Sequence, residues 1–484
     1  KVTSLENANK KRRKRNNHFQ LYTNPFIRKF EGAFVLNKVC GIQLTTNSFL
    51  IYTIFVAMDI HELYKHFIKH PSVQTDSRKI KKGDIFFALK GPNFNGNQYA
   101  KQALDDGASV CVVDEDTGIH NDQVIRVPDC LTALQQLAKK HREQFSIPFI
   151  AITGSNGKTT TKELVHAVLS AKYKTYTTVG NLNNHIGIPL TILSVKLDAE
   201  MAVIEMGANH QKEIEGYCTY ALPTHGLITN CGKAHLEGFG GEEGVRKGKG
   251  ELFDYLRNNG GTAFIFNDYD YLINVSNGIP HIVTYGTTRA DIAGEEVKGP
   301  ENDFLGVRIS SGAGINHINT HLVGGYNLPN ILAAVCIGKT FGVDDNAIVQ
   351  ALENYIPSNS RSQLIEKDGN RIILDAYNAN PSSMKAAIEN FANMPGDKKV
   401  LMLGGMMELG NESITEHENL VKLINKNQWH KVVLVGKDYM GLPEGFIHFN
   451  DVSDAKNWYR EQHFTNAQIL VKGSRSMAME KVLE

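Results

Sequence analysis

Hydrophobic positions divide the chain into four stretches. Between residues 58 and 146, Gly83 and Asp84 lead into an apolar run at 85–89, and a second run at 108–113 reads as another buried strand, so a small α/β domain is expected. From 147 to 357 apolar runs alternate with amphipathic stretches, the habit of a parallel sheet wrapped by helices. Short alternating segments between Ile282 and Val323, separated by Gly, Asn and Ser, predict a small antiparallel insertion. From 358 to 484 a third βα series begins runs at Arg371, Lys399, Lys431 and Gln468, each ending in polar or glycine-rich sequence, as in a Rossmann-like sheet. Residues 1–57 lack this patterning. A basic run from Lys10 to Arg15 precedes an uncharged segment at 41–57 that Gln43, Thr45, Thr46, Asn47 and Ser48 dilute. Met58 reads as the natural start, and 1–57 as an upstream extension without a fold.

Composition narrows the class. Of 484 residues 42% are hydrophobic and 21% charged, which is material for several cores rather than a disordered chain. Fifty-two basic against fifty-one acidic residues leave a net charge of +1, which argues against a protein that coats nucleic acid. The six cysteines, Cys40, Cys111, Cys130, Cys218, Cys231 and Cys336, form no C-x-x-C pair, as suits a reducing compartment better than a disulfide framework. No uncharged run reaches the ~20 apolar residues of a membrane span. A cytoplasmic enzyme-sized α/β chain with no stable membrane insertion is the expectation.

The strongest local signal is the sequence from Ile150 to Thr161. An apolar strand runs into Gly154-Ser155-Asn156-Gly157, and Lys158, Thr159 and Thr160 then open a helix whose apolar face is Leu164, Val165, Val168 and Leu169. Glycines let backbone N–H groups close around phosphate oxygens, and the helix N-terminus adds its positive end. Lys158 is placed to reach outer phosphates and the Thr159 hydroxyl to ligate Mg²⁺. The turn is the short G-x-x-G-K-T, with Ile152 where the longer motif has its first glycine. A plain glycine turn would explain Gly154 and Gly157 but not the Lys-Thr-Thr that follows.

Three further segments bear on the chemistry. A strand at 202–205 ends in Glu205, a place for a second metal contact; the next strand, 226–230, is followed by His235; and Lys247 and Lys249 fall on a predicted helix. Singly, these read equally well as a capping carboxylate, a surface imidazole and a solvated lysine face. Their order after the phosphate loop is what joins them.

With these residues in view, the chain from about Met58 to Glu484 resembles the ATP-dependent Mur ligases of peptidoglycan synthesis. The resemblance rests on T-G-S-N-G-K-T-T-T-K-E at 153–163, N-L-N-N-H-I-G-I-P at 181–189, E-M-G-A-N at 205–209, H-L-E-G-F-G at 235–240, N-L-P-N-I-L-A-A at 327–334 and the Ser360-Arg361 pair. D-A-Y-N-A-N-P at 375–381, supported by L-G-G-M-M-E-L-G at 403–410 and K-G-S-R at 472–475, resembles the branch that adds a dipeptide. A folylpolyglutamate synthase would share the phosphate loop and His235 but not the tyrosine-containing run. A regulatory module without catalysis would have no use for Lys158, Thr159, Glu205, His235 and Lys249 together.

The resemblance implies three domains: 58–146 for the UDP end of the substrate, a central P-loop ATPase-like parallel sheet over 147–357, and a Rossmann-like domain over 358–484 for the incoming dipeptide. It implies ATP and Mg²⁺ as cofactors, UDP-MurNAc-tripeptide and D-alanyl-D-alanine as substrates, an acyl-phosphate intermediate, and a monomer. For the nucleotide it implies Gly154, Ser155, Asn156, Gly157, Lys158, Thr159, Thr160, Asn330, Arg361, Asp375, Tyr377 and Asn380. Thr159, Glu205 and His235 are the implied metal ligands, and Ser77, Arg78, Asn183 and Asn184 the implied substrate contacts. Lys158, His235 and Lys249 are the implied catalytic residues, with Lys249 carried as a carbamate. Asn95-Gly96-Asn97 departs from the Asp-Gly-His of many relatives on the uridine side. Asn380 and Pro381 also read as an N-cap followed by proline at the first helical position, which is compatible with a nucleotide contact.

Overall fold

Strands buried at every position need cover on both faces, and such strands organise the structure. Phe149–Thr153 and Met201–Glu205 are buried throughout, and both are central strands of a sheet. The computed structural model describes residues 60–298, 303–358, 360–441 and 445–484; the expectations for residues 1–57 lie outside the described residues.

The first of the three larger sheets is four-stranded and parallel, in the order Val73–Gln74, Ile85–Phe87, Val110–Val113, Val124–Arg126. Helix Cys130–Arg142 follows it. Arg142 at the end of that helix donates to the carbonyls of Ala221 and Leu222, and its guanidinium lies 3.8 Å from the Phe149 ring centroid, tying this sheet to the next.

The central sheet has nine strands. From one edge the order is Ile318–Val323, Phe304–Ser311, Ile292–Lys298, His281–Gly286, Thr262–Phe266, His225–Ile228, Phe149–Thr153, Met201–Glu205, Thr175–Thr177. Helix Lys158–Ser170 buries Leu164, Val165, Val168 and Leu169 and packs on helix Leu328–Thr340. Of the antiparallel insertion expected between Ile282 and Val323, the strands from Ile292 onward do pair antiparallel, but they continue this sheet. His281–Gly286 pairs parallel on both sides, and antiparallel pairing begins only between Ile292–Lys298 and Phe304–Ser311. Alternation reports that a strand is half-buried but not which way its neighbour runs, so the sequence could not separate the two arrangements.

The third sheet, in the order Gln363–Lys367, Asn370–Asp375, Gln468–Lys472, Lys399–Gly404, Lys431–Val435, Ile447–Phe449, is parallel except at its first strand. That edge strand is a hairpin partner turned by Asp368 and Gly369, both at positive φ, the backbone that an Asp-Gly turn supplies. Helix Pro381–Asn393 starts at the carboxyl side of this sheet. Asn380 is its N-cap and closes a capping box with Ser383, and Pro381 stands in the first turn.

Phe391 on that helix is fully buried and stacks on Trp429 with ring centroids 5.9 Å apart and planes within 5°. Phe391→Ala should therefore cost about 3–5 kcal/mol and lower the melting transition in calorimetry. Ile414→Ala, at a side chain 73% exposed, should stay within about 0.5 kcal/mol of the parent.

Candidate active site

The phosphate loop is shaped by two close approaches. Gly154 has φ +141°, and a Cβ there would stand 2.0 Å from Thr229 Oγ1; Gly157 has φ +81°, and its Cβ would stand 2.7 Å from Asn330 Oδ1. Neither position admits a side chain, for reasons of both conformation and space. The segment after strand His225–Ile228 holds the loop from below. Thr229 Oγ1 donates to the Asn156 carbonyl at 2.6 Å, Asn230 Oδ1 accepts from Asn156 N at 3.0 Å, and Ser155 N donates to the Asn230 carbonyl at 2.9 Å. Ser155 Oγ and Gly232 exchange hydrogen bonds at 3.0 and 3.1 Å. Asn330, expected to contact the nucleotide, is buried against the loop, accepting from Thr161 Oγ1 and donating to Asn327. Thr159 is buried and Thr160 half-buried in the first helical turn, where geometry leaves N–H groups without helical acceptors.

Lys158 folds back on this loop, its Nζ donating to the carbonyls of Gly154 at 2.6 Å and Ser155 at 3.0 Å. Burial pushes its ammonium down to about 8; the nearby Glu205 carboxylate opposes that fall and the Arg361 guanidinium adds to it. Glu205 is itself buried. Its Oε1 accepts from Asn183 Nδ2 at 2.7 Å, and its Oε2 has no hydrogen-bond partner. A buried carboxylate oxygen left open is the donor a hard cation requires, so the residues fit Mg²⁺.

Lys249 is buried and Lys247 exposed, although both lie on helix Glu242–Asn258. The Lys249 Nζ donates to the Ala208 carbonyl at 2.9 Å and lies 4.9 Å from the Phe239 ring centroid. Burial, with the charge of Lys158 nearby, brings its amine down to about 7. Glycines on one face of this helix let Phe239 approach. A Cβ on Gly244 would meet the Phe239 carbonyl at 1.9 Å, and one on Gly248 its ring at 2.4 Å. Phe239 ends the short helix Leu236–Phe239, whose N-cap is His235 at φ +53°. The helix thus fixes the loop that bears the imidazole.

The third sheet brings a second set of residues. The Arg361 guanidinium lies 3.6 Å from the Tyr377 ring centroid, its Nε is buried without a hydrogen-bond partner, and both flanking serines, Ser360 and Ser362, have positive φ. Asp375 Oδ2 pairs with buried Lys472 at 2.5 Å, and its Oδ1 accepts from Ser362 N. Asn380 Nδ2 donates to Asn156 Oδ1 at 2.7 Å, so the N-cap of a third-domain helix touches the phosphate loop directly.

Other expected residues stand apart from this cluster. Ser77 and Arg78 form a surface turn of the first sheet, where Arg78 grips Asp76 at 2.8 and 2.9 Å and holds that carboxyl down at about 2. Asn184 accepts from Ile186 N and Gly187 N just ahead of helix Gly187–Ser194, while its neighbour Asn183 faces Glu205. In place of the departed Asp and His, Asn95 donates to Glu115 and buried Asn97 to Asp114. Residues that sequence reasoning missed include Thr229 and Asn230, although a polar pair ending a buried strand opposite a phosphate loop was a readable signal. Lys233 with Glu416, and Glu408 beside His235, gave no such signal, since their partners are remote in sequence.

A parallel sheet carrying a phosphate loop, with a Rossmann-like domain docked on that loop, defines a nucleotide-dependent enzyme whose chemistry is shared between domains. Family models agree: "Mur ligase family, catalytic domain" matches residues 71–142, "Mur ligase middle domain" residues 152–338, and "Mur ligase, glutamate ligase domain" residues 360–475. The chain belongs to the Mur ligase family. It is 35% identical over 435 residues to the UDP-N-acetylmuramoyl-tripeptide–D-alanyl-D-alanine ligase of Bacillus subtilis (strain 168), covering 87% of this chain and 94% of that protein. The Escherichia coli (strain K12) protein of the same name is 36% identical over 428 residues, 85% and 92% of the two chains. Among solved structures, MurF from Acinetobacter baumannii superposes with a TM-score of 0.77 at 31% identity, covering 85% of this chain and 92% of that one. MurF from Thermotoga maritima in complex with ADP gives 0.76 at 27%, covering 85% and 96%.

Gly154→Ala forces either the loop or Thr229 to move. ADP affinity by calorimetry should fall at least about tenfold, the equivalent of ~1.4 kcal/mol; unchanged affinity would show that the loop's backbone does not cradle phosphate.

Proposed function

We propose that this Mur ligase joins D-alanyl-D-alanine to UDP-N-acetylmuramoyl-tripeptide, converting ATP to ADP and phosphate, as the names of its B. subtilis and E. coli relatives indicate for those proteins. The observation that carries the reading is that Lys158, on the phosphate loop, lies close to Glu205 and to Arg361, and buried Lys249 lies close to Lys158. Such a site neutralises charge where two anions must meet, a carboxylate and a triphosphate.

In the first step an oxygen of the tripeptide's terminal carboxylate attacks the γ-phosphorus, and the bond to the β-phosphate oxygen breaks to release ADP. In the second, the dipeptide's amine attacks the acyl carbon of the acyl phosphate, loses a proton, and expels inorganic phosphate. Lys158 exchanges the carbonyls of Gly154 and Ser155 for phosphate oxygens, and Arg361, unpartnered at Nε, faces the same charge. Asp375, Tyr377 and Asn380 line the nucleotide from the third domain, and Asn330 supports the loop beneath it. Ser77 and Arg78 serve the UDP end, and Asn183 and Asn184 the peptide side. Thr159 would hold one Mg²⁺, and Glu205 with His235 a second; bound there, the ions would supply positive charge to the phosphates and the acyl oxygen. Among the described residues no helix is long and apolar enough to cross a membrane, and the described cysteines are free thiols. A cytoplasmic site of action goes with ATP as substrate.

Lys249 carries the carbamate in this reading. An amine brought down to about 7 is largely neutral near pH 7.5, and only the neutral lone pair attacks CO₂, with loss of a proton. Carbamylation therefore holds above about pH 7 and declines below it. Protein equilibrated with ¹³CO₂ should show a carbamate resonance that Lys249→Ala removes and Lys247→Ala keeps. Lys249→Ala should also lose at least about a hundredfold in turnover and recover part of it with short carboxylic acids; full activity without them would refute the assignment.

The reaction is tested by phosphate release from ATP in the presence of Mg²⁺ and UDP-MurNAc-tripeptide. Release should depend on D-alanyl-D-alanine and yield the pentapeptide product by mass. Release with a free amino acid instead would keep the ligase chemistry and discard the dipeptide.

A further inference from the structure

The loop bearing His235 is held from the third domain. Lys233 N donates to Ser382 Oγ at 3.0 Å, and Lys233 Nζ pairs at 2.8 Å with Glu416, a carboxylate only 7% exposed. A buried carboxylate whose ion-pair partner lies across a domain boundary acts more as a register than as glue, since water is the alternative for both charges. Two residues on, His235 Nδ1 is in ion-pair contact with Glu408 Oε2. Both residues are non-glycine positions in the left-handed region, His235 at φ +53° and Glu408 at φ +62°. Two strained backbones that meet across an interface point to a required contact. A Cβ added at Gly410, two residues beyond Glu408, would stand 3.1 Å from Glu237 Cβ, so the two domains approach closely there as well.

A histidine that ligates a metal through one ring nitrogen commonly gives the other to a carboxylate, which sets the tautomer and the plane of the ring. We propose that Glu408 is the positioning residue for His235: the third domain delivers the carboxylate that orients a central-domain metal ligand, so the second cation site is complete only when the domains are docked. The proposal rests on the second Mg²⁺ site of the reading above. With the Glu408 carboxylate against Nδ1, Nε2 is the nitrogen left for the ion. The dipeptide-binding domain and the acyl-activating site are thereby coupled through one imidazole.

The experiment uses the full chain with Mn²⁺ as the probe, titrated by electron paramagnetic resonance in the presence of a non-hydrolysable ATP analogue and UDP-MurNAc-tripeptide. Wild type should bind two Mn²⁺. Glu408→Ala should weaken one of them about tenfold or more and leave the other within twofold. Glu418→Ala, an exposed acid on the same domain, should change neither. His235→Ala should weaken the same ion, and adding Glu408→Ala to it should have no further effect. Thermal melting of each variant within about 2 °C of wild type confirms an intact fold. A single Mn²⁺ in wild type, two unchanged affinities in Glu408→Ala, equal loss at both sites, or additive effects in the double variant would each overturn the proposal. The ligase reading fails separately, if wild type shows no dipeptide-dependent phosphate release.

Discussion

Lys158 stands between the Glu205 carboxylate and a second cation, Arg361, and most of the site follows from that balance. Lys158, Lys249 and Arg361 lie near enough for Lys158 to feel both Glu205 and Arg361, and for Lys249 to feel Lys158. Both amines lie below the ordinary lysine range, so the folded protein disfavours their protonated forms until an anion arrives. Anion binding and protonation of Lys158 therefore favour one another, while Lys249 stays available as the neutral amine that a carbamate needs. In the meantime Lys158 is satisfied by its own loop's carbonyls, and Arg361 rests on the Tyr377 ring. These are interim partners that a phosphate can displace without unfolding anything.

Several polar contacts tie the central domain to the third: Asn156 with Asn380, Lys233 with Ser382 and Glu416, His235 with Glu408. Polar surfaces of this kind can part into water at small cost, as domain motion during turnover requires. Each of these contacts also ends on a residue of the phosphate loop or the His235 loop, so docking and site geometry are one event.

Legibility from the sequence followed sequence distance. The phosphate loop, its helix and the N-cap at Asn380 are local motifs, whereas Lys249 was singled out over Lys247 only by the family resemblance. The hairpin at Asp368-Gly369 was readable too but lay hidden beside a short edge strand. Pairings such as Glu408 with His235, or Lys233 with Glu416, join residues more than 170 apart and exist only because two domains dock. The parallel course of His281–Gly286 was equally illegible, because strand direction is decided by the connection and not by the alternation of side chains.

Helix Glu242–Asn258 shows what close packing withholds from a protein. Glycine within a helix costs roughly 1 kcal/mol relative to alanine, and replacing it is among the commonest routes to a hardier fold. Here Gly244 and Gly248 leave the room in which Phe239 sits, and through it the His235 loop. The element that bears the buried lysine must therefore remain an intrinsically poor helix former at these positions. Any lineage of this enzyme that adapts to heat has to find its gains in other elements, while this one keeps its weakness in exchange for a well-placed imidazole.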